Sequence, residues 1–331
     1  RKVPDRPVLF EFFMNPTVYR LLSDPRSPIL RNAPEDEDIA GRLLMLDAFY
    51  QAGYDYGTVA PPVTFAFAPH ETETTRTYSL NSAGGITDRA SFEAFSWPDP
   101  DSQDYSCLDI LAGRLPEGMA LVAYGPGGVE ENVIALTGYE QLCYMMVDDP
   151  DLVTDIFAAV GSRLRRYYEI VAAHPAVCAC ISNDDWGFNT QTLLTREQMR
   201  RWLYPWHLAI AETIHAAGKP AILHSCGNIY GEMEWIYGTC GYDAKHSYED
   251  AIMPVEEAWD RYHDRIALLG GIDVNYLIFE SEEKIYRRSR AMLERTAAAG
   301  SYALGTGNSV PDYIPPEKYL AMLKAAWEYG S

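Results

Sequence analysis

Short apolar runs alternate with helical patterns along most of the chain. Eight of these runs have the length of buried strands and end at glycine, proline or polar residues. The predicted strands span residues 8–13, 54–60, 119–124, 176–182, 221–226, 242–249, 266–273 and 302–309. Between them apolar residues return at helical spacing, as Ile39, Leu43 and Leu46 do after the acidic residues 35–38. This pattern predicts a parallel sheet whose strands are joined by helices.

Several helices carry start signals in the sequence. Asp149 and Pro150 open one predicted helix, and Thr195 with Gln198 forms a capping box for another. Ser281 caps a helix that is predicted to reach residue 299, and Pro316 opens the last one. The regular alternation favours an α/β fold of the (β/α)8 TIM barrel type, with a doubly wound parallel sheet as the alternative.

We expect one domain over residues 1–331. The stretch 63–118 is the least regular part, and we predict it to be an insertion between strands 2 and 3 that lies over one barrel end, with a hairpin at 77–86. Hydrophobic residues make up 47% of the chain and charged residues 22%, so a folded core is expected throughout.

Charge and cysteine usage narrow the function classes. The formal net charge of −20 argues against nucleic acids, anionic membranes and polyanionic substrates, unless a local basic patch overrides it. The six cysteines have no framework spacing, and the sequence shows neither a signal peptide nor an apolar run that could span a bilayer. We therefore expect a cytoplasmic protein that does not act at a membrane.

The segment 221–228 is the most informative one for chemistry. It is an apolar run that ends in His224 and Cys226 and continues into Gly227 and Asn228. Because residues i and i+2 of a strand point the same way, the imidazole and the thiol should project side by side. Such a pair suits a zinc site or a thiolate paired with a base. A buried cysteine beside a hydrogen-bonded histidine is the alternative without chemistry.

Five segments together resemble one known family. They are 224–228 (HSCGN), 241–249 (GYDAKHSYE), 269–274 (LGGIDV), 184–191 (DDWGFNTQ) and 97–100 (WPDP). The chain resembles the uroporphyrinogen decarboxylase superfamily over most of its length. The resemblance implies a (β/α)8 barrel and one of two activities: the decarboxylase itself, or methyl transfer between a corrinoid protein and a thiol, a methylated amine or alcohol, or a methoxylated aromatic compound.

The residues favour the methyltransferase-like branch, to which the H-x-C-G form of strand 5 belongs. The decarboxylase pattern has arginines after strand 1, where this chain has 12–16 (FFMNP), and an aspartate at the end of strand 2, where it has 59–63 (VAPPV). The decarboxylase histidine on the last strand is replaced by 305–307 (GTG). A substrate with many carboxylates also needs a cationic pocket, which the net charge opposes.

The resemblance implies zinc bound by His224, Cys226 and a third ligand. The cysteine expected at the end of strand 8 is absent from 304–309 (LGTGNS). By position at strand ends, the third ligand is sought among Glu249, His246, Asp184, Asp185 and Glu11, of which Glu249 is the one we predict.

The remaining site residues are predicted from the same resemblance and from their places at strand ends. Asp184, Asp185, Glu11 and His246 are the expected catalytic residues. The expected substrate-binding residues are Asn189, Gln191, Asn308, Ser309 and Asp273. Glu11 stands out because it interrupts an apolar run, where an unpaired carboxylate would be costly.

The predicted function is methyl transfer between a methylated small molecule and a corrinoid protein or thiol, assisted by zinc. The corrinoid would be supplied by a partner protein that docks over the barrel mouth, and a homodimer stays open. The alternatives are a carboxy-lyase like the decarboxylase and a metal-free binding barrel that has lost the chemistry.

Overall fold

The computed structural model describes residues 3–60 and 85–329, which form a curled sheet of seven parallel strands together with many helices. The strands are β1 (Tyr56–Val59), β2 (Ala120–Tyr124), β3 (Val177–Asn183), β4 (Ala221–His224), β5 (Ala244–His246), β6 (Ala267–Leu269) and β7 (Tyr302–Ala303). Their order in the sheet is their order in the chain, so each strand pairs with the next one. This arrangement is consistent with the predicted TIM-like barrel.

The helices lie between the strands and at both ends of the described chain. They are α1 (Pro16–Leu22), α2 (Glu37–Ala52), α3 (Arg89–Ala94), α4 (Ser106–Ala112), α5 (Val129–Thr137), α6 (Tyr139–Asp148), α7 (Pro150–Ala173), α8 (Arg196–Gln198), α9 (Tyr204–Ala216), α10 (Val255–Tyr262), α11 (Val274–Phe279), α12 (Glu282–Thr296) and α13 (Pro316–Trp327). A π-helical turn, Met199–Leu203, joins α8 to α9, and another spans Glu234–Cys240. Short 3-10 turns occupy Pro100–Ser102 and Tyr230–Glu232.

The predicted helix starts are confirmed by their caps. The Asp149 side chain accepts the backbone N–H of Leu152 at the start of α7. Thr195 and Gln198 form the reciprocal capping box, and Ser281 caps α12, which ends at Thr296. The apolar stripe of α7 is buried against the rest of the fold, as the predicted spacing required.

The predicted first strand is reduced to a single bridge. Leu9 pairs in parallel with Leu304, beside β7. On the other side, the backbone N–H of Glu11 donates to the Tyr56 hydroxyl at 2.7 Å, and this hydroxyl donates to the Glu11 carbonyl. A side chain therefore takes the place of ladder hydrogen bonds towards β1. The segment contacts both edge strands of the sheet without being a regular strand itself.

The described part of the predicted insertion 63–118 consists of short helical segments joined by irregular stretches. From residue 85 onward it contains α3, the turn at Pro100–Ser102 and α4. Helix α4 packs against α2, and the turn packs against α7. The hairpin predicted at 77–86 falls largely on residues 61–84, outside the described residues. Among the helices that are described, none combines the length and the apolar character needed to cross a bilayer.

The carboxyl ends of three neighbouring strands lie level with one another. In the register of the sheet Asn183 is paired with His224, and His224 is paired with His246. The pairing continues one residue further, since the Ser225 N–H donates to the His246 carbonyl at 2.8 Å. The loops that follow β3, β4 and β5 therefore meet at one edge of the sheet, where the active sites of parallel α/β barrels are built.

Candidate functional site

His224, Cys226 and Asp185 meet at this edge. Their ligand atoms all lie within 4.8 Å of one another. The Nε2 atom of His224 is 3.9 Å from the Cys226 sulfur and 3.9 Å from the Asp185 Oδ1. Asp185 is fixed in place because its Oδ1 also accepts the Cys226 backbone N–H at 2.9 Å. We call these three residues the ligand cluster.

The ligand cluster fits a zinc ion in the chemistry of its donors. A thiolate, an imidazole nitrogen and a carboxylate are all zinc ligands, and three protein ligands leave a coordination position open for substrate. In the protein alone, burial raises the pKa of the Cys226 thiol, and the charge of Asp185 raises it further. A nearby cation would reverse this effect. The distance of 3.9 Å between His224 Nε2 and the Cys226 sulfur is long for a hydrogen bond that would activate the thiol, and it is compatible with two ligands of one metal ion.

The cluster opens into a cavity of about 490 Å³. Its lining is Phe12, Phe13, Ala60, Tyr124, Gly125, Pro126, Gly127, Glu131, Asn183, Asp185, His224, Cys226 and Asn308. Aromatic rings cover one part, in the positions where the decarboxylase pattern would have arginines. Among the described residues that line the cavity there is neither lysine nor arginine. A substrate with many carboxylates would therefore be buried without a counter-charge, at a cost of several kcal/mol.

Glu131 is a cavity residue that the sequence analysis missed. It lies in the first turn of α5, and its Oε2 accepts the backbone N–H of Gly128 at 2.8 Å. Burial raises the pKa of Glu131 to about 8, and the charges of Asp184 and Asp185 add to the rise. Both effects favour the protonated form of the side chain. The glycines at 127–128 followed by acidic residues are the signal that could have pointed to it.

Asp184 has a different place from the expected catalytic one. Its side chain is buried, and its Oδ2 accepts hydrogen bonds from the Glu130 backbone N–H at 2.9 Å and from the His207 Nε2–H at 2.8 Å. Its Oδ1 accepts the N–H of Glu131 at 3.0 Å. The carboxylate thus caps the N-terminus of α5, and it does not line the cavity. In this position the carboxylate anchors the helix that carries Glu131, and the catalytic role of Asp184 stays a prediction.

Glu249 and Asp273 also depart from their expected roles. Glu249 is half-buried, and its carboxylate accepts the Gly227 N–H, but it is not part of the ligand cluster. Asp185 takes its place as the third candidate ligand. The Asp273 side chain caps α11 at Tyr276 and accepts the N–H of Asp250 at 2.9 Å. Both of its oxygens are used in this way, so it braces two loops and does not line the cavity.

His246 and Glu11 are fully buried behind the ligand cluster and do not line the cavity. The Nδ1 atoms of His246 and His224 lie 2.8 Å apart. The Oε1 of Glu11 accepts the Thr306 hydroxyl at 2.8 Å. Burial raises the pKa of Glu11 to about 8, and the Thr306 hydrogen bonds oppose the rise. Neither residue is placed to touch a substrate, in contrast to the expected catalytic roles.

The four loop residues predicted to bind substrate fall into two groups. Asn308 lines the cavity and donates from Nδ2 to the Cys226 sulfur at 3.3 Å. The backbone N–H of Ser309 donates to the Asn308 Oδ1 at 2.8 Å, which orients that amide. Asn189 and Gln191 lie exposed in the turn after β3 and do not line the cavity. Of these four residues, Asn308 is therefore the one whose side chain contacts the ligand cluster.

Lys245 is a second residue that the sequence analysis missed. It lies in β5 and is almost fully buried, and its Nζ donates to the Ser247 carbonyl at 2.6 Å. The ammonium group lies 4.5 Å from the ring centre of Tyr248. Burial lowers the pKa of Lys245 to about 8, although Cys226 and Asp185 pull it upward. Lys245 is the nearby positive charge that partly balances the acidic groups of the site.

Comparisons with known proteins agree with this architecture. A family model for uroporphyrinogen decarboxylase (URO-D) matches residues 87–329, well over half of the 331 residues. No curated protein matches the chain. A methyltransferase from Methanosarcina mazei superposes with a TM-score of 0.71 at 14% identity, covering 99% of this chain and 95% of that one. At this identity the likeness shows the fold.

Two xylanases are more distant structural matches. An endo-beta-1,4-xylanase from Gloeophyllum trabeum has a TM-score of 0.43 at 9% identity and covers 69% of this chain and 82% of its own. An intracellular xylanase from Thermoanaerobacterium saccharolyticum also has a TM-score of 0.43, at 11% identity, with 96% and 98% covered. These scores carry no argument about function. From the match of the family model, the chain belongs to the uroporphyrinogen decarboxylase (URO-D) family.

Proposed function

We propose that this protein is a zinc-dependent methyltransferase that moves a methyl group from a small methoxylated molecule to a corrinoid carried by a partner protein. The observation that carries the proposal is the ligand cluster at the wall of a cavity whose described lining residues include no lysine or arginine. The URO-D fold and its likeness to a methyltransferase support it. In this proposal the 8–10 segment completes a (β/α)8 barrel, and the partner docks over its mouth in the cytoplasm.

Each residue of the site has a proposed role. His224, Cys226 and Asp185 would hold zinc, which supplies a Lewis acid that polarises the methoxy oxygen. Asn308 donates a hydrogen bond to the Cys226 sulfur and so stabilises its thiolate form. The rings of Phe12, Phe13 and Tyr124 would cover the apolar part of the donor and exclude water.

Glu131 would provide the proton that the reaction consumes. When the bond between the methyl carbon and oxygen breaks, the bonding electrons stay on oxygen, and the reduced corrinoid of the partner supplies the electron pair for the new bond to carbon. The oxygen then takes a proton from the Glu131 carboxyl group, so the other product is a neutral alcohol or phenol. The raised pKa of Glu131 keeps this proton available at neutral pH.

The proposal is tested with the purified wild-type protein, prepared without chelators. We expect about one zinc per chain by elemental analysis, because three matched donors converge on one point. With methoxylated aromatic compounds and cob(I)alamin, we expect loss of the cob(I)alamin absorption together with release of the phenol. A decarboxylated product, or no zinc and no methyl transfer, would favour the lyase or the binding protein instead.

Replacing Glu131 with glutamine should lower the rate of methyl transfer by about 10²-fold to 10³-fold while zinc content stays unchanged, since one acid catalyst is removed. The wild-type rate should fall as the pH rises through the pKa of Glu131, and the variant should lack this fall. The loss should shrink for donors whose phenol is more acidic, because these leave without a proton. An equal loss for all donors would contradict the role of Glu131 as acid.

A further inference from the structure

A buried chain of hydrogen bonds runs behind the ligand cluster. The Nε2 of His246 lies 3.1 Å from the Thr306 carbonyl oxygen, and its Nδ1 lies 2.8 Å from the Nδ1 of His224. The other nitrogen of His224, Nε2, is the one that faces Cys226 and Asp185. Both imidazoles are buried. These hydrogen bonds therefore connect Thr306, in the loop after β7, to the candidate metal ligand His224 through the imidazole ring of His246.

The hydrogen-bond partners of the two imidazole rings determine which ring nitrogens carry a proton. A carbonyl oxygen only accepts hydrogen bonds, so the Nε2 of His246 carries a proton. Both rings are buried, which disfavours a charged imidazole, so each neutral ring carries one proton. The Nδ1 of His246 is then a bare acceptor. The proton between the rings belongs to the Nδ1 of His224, which leaves its Nε2 unprotonated.

We propose that His246 is a positioning residue that holds His224 in the Nδ1–H tautomer, so that the lone pair of Nε2 points into the ligand cluster. The opposite tautomer would place two bare Nδ1 atoms against each other at 2.8 Å. It would also put a proton on the nitrogen that faces the cluster. This inference deepens the proposed function and rests on it for the metal, whereas the position of the proton is a property of the protein alone.

Glu11 and Thr306 hold the far end of the chain. The Oε2 of Glu11 accepts the Thr306 backbone N–H at 3.3 Å, and its Oε1 accepts the hydroxyl. The same hydroxyl contacts the Asn308 carbonyl at 2.5 Å. These bonds hold Thr306, whose carbonyl oxygen accepts the hydrogen bond from the Nε2 of His246. Glu11 would thus help to position the candidate metal ligand His224, although its carboxyl group is buried outside the cavity.

The test compares two variants of equal shape, His246→Asn and His246→Leu. The asparagine oxygen occupies the place of Nδ1 and accepts the His224 proton, whereas leucine offers no acceptor. Loss of a residue that hydrogen-bonds a metal ligand typically lowers metal affinity by about 10-fold to 100-fold. We expect zinc affinity, measured by competition with a chromophoric chelator, to fall by this factor in His246→Leu and by less than about 3-fold in His246→Asn. Equal affinities in the two variants would overturn the proposal.

A second measurement uses the metal-free wild-type protein and does not depend on either variant folding. Nitrogen-15 NMR of the histidine rings distinguishes the two neutral tautomers, and we expect a protonated Nδ1 and a bare Nε2 for His224. A protonated Nε2 would overturn the proposal. If the wild type binds no zinc or transfers no methyl group, the proposed function fails, while this spectrum still decides the position of the proton.

Discussion

The Asp184→Asn protein should unfold far more easily than the Asp185→Asn protein, although the two residues are neighbours in sequence. Asp184 accepts three hydrogen bonds in a buried place, and an amide accepts only part of these and adds N–H groups where donors already point. We expect a loss of about 3 kcal/mol in the free energy of unfolding, typical for breaking a buried charged network. Chemical denaturation followed by circular dichroism measures it.

Asp185→Asn is the matched control for this experiment. Its side chain faces the cavity and belongs to the ligand cluster, so its loss should leave the free energy of unfolding of the metal-free protein within about 1 kcal/mol of wild type. Its zinc affinity should fall instead. If Asp184→Asn unfolded like the wild type, or if Asp185→Asn kept full zinc affinity, the roles that we assign to these two residues would be wrong.

The Cys226→Ser protein should lose both zinc and methyl transfer. A hydroxyl has the shape of the thiol but keeps its proton and binds zinc poorly. Zinc affinity should therefore fall by more than about 100-fold, the upper range for losing a residue that only hydrogen-bonds a ligand. Zinc content, zinc affinity and the rate with cob(I)alamin measure the effect. The sulfur accepts hydrogen bonds from the Ser247 hydroxyl and the Asn308 amide, and a serine oxygen can accept from the same groups, so we expect folding to be retained.

Cys143→Ser provides the control for Cys226→Ser. Cys143 is an exposed cysteine on α6 and lies outside both the ligand cluster and the cavity lining. Its replacement should leave zinc content and activity unchanged, which separates a general effect of thiol removal from an effect at the site. A Cys226→Ser protein that kept its zinc and its rate would remove the ligand cluster as the basis of the proposed function.

The sequence allowed the strands and the pairing of two site residues to be predicted, because both depend on local spacing. Apolar runs located β1 to β7, and the i, i+2 rule brought Cys226 beside His224. The first predicted strand was not found as a regular strand. The Tyr56 hydroxyl, from β1, makes the hydrogen bonds to Glu11 that a neighbouring strand backbone would otherwise make. Because this contact joins residues that are distant in the sequence, local spacing could not predict it.

The third candidate ligand and the proposed acid could not be predicted from local sequence alone. Asp184 and Asp185 are chemically identical in the sequence, and only the approach of α5 to one of them gives the two carboxylates different roles. Glu249 and Asp185 both follow strand ends, and the direction of each loop decides which one turns towards His224. Glu131 becomes part of the site because β2 lies beside β3 in the sheet, so that the loop after β2 reaches the same edge.

The composition of the cavity wall has a consequence for the choice of methyl donor. A donor with a carboxylate would have to shed its hydration shell on entering, and the lining supplies no lysine or arginine in exchange among the described residues. Under the proposed function, an uncharged ether of the same size would lose far less hydration, and the aromatic rings of the lining would contact it. The cavity would thus bind uncharged methyl donors in preference to anionic ones, and this selection would precede the transfer of the methyl group.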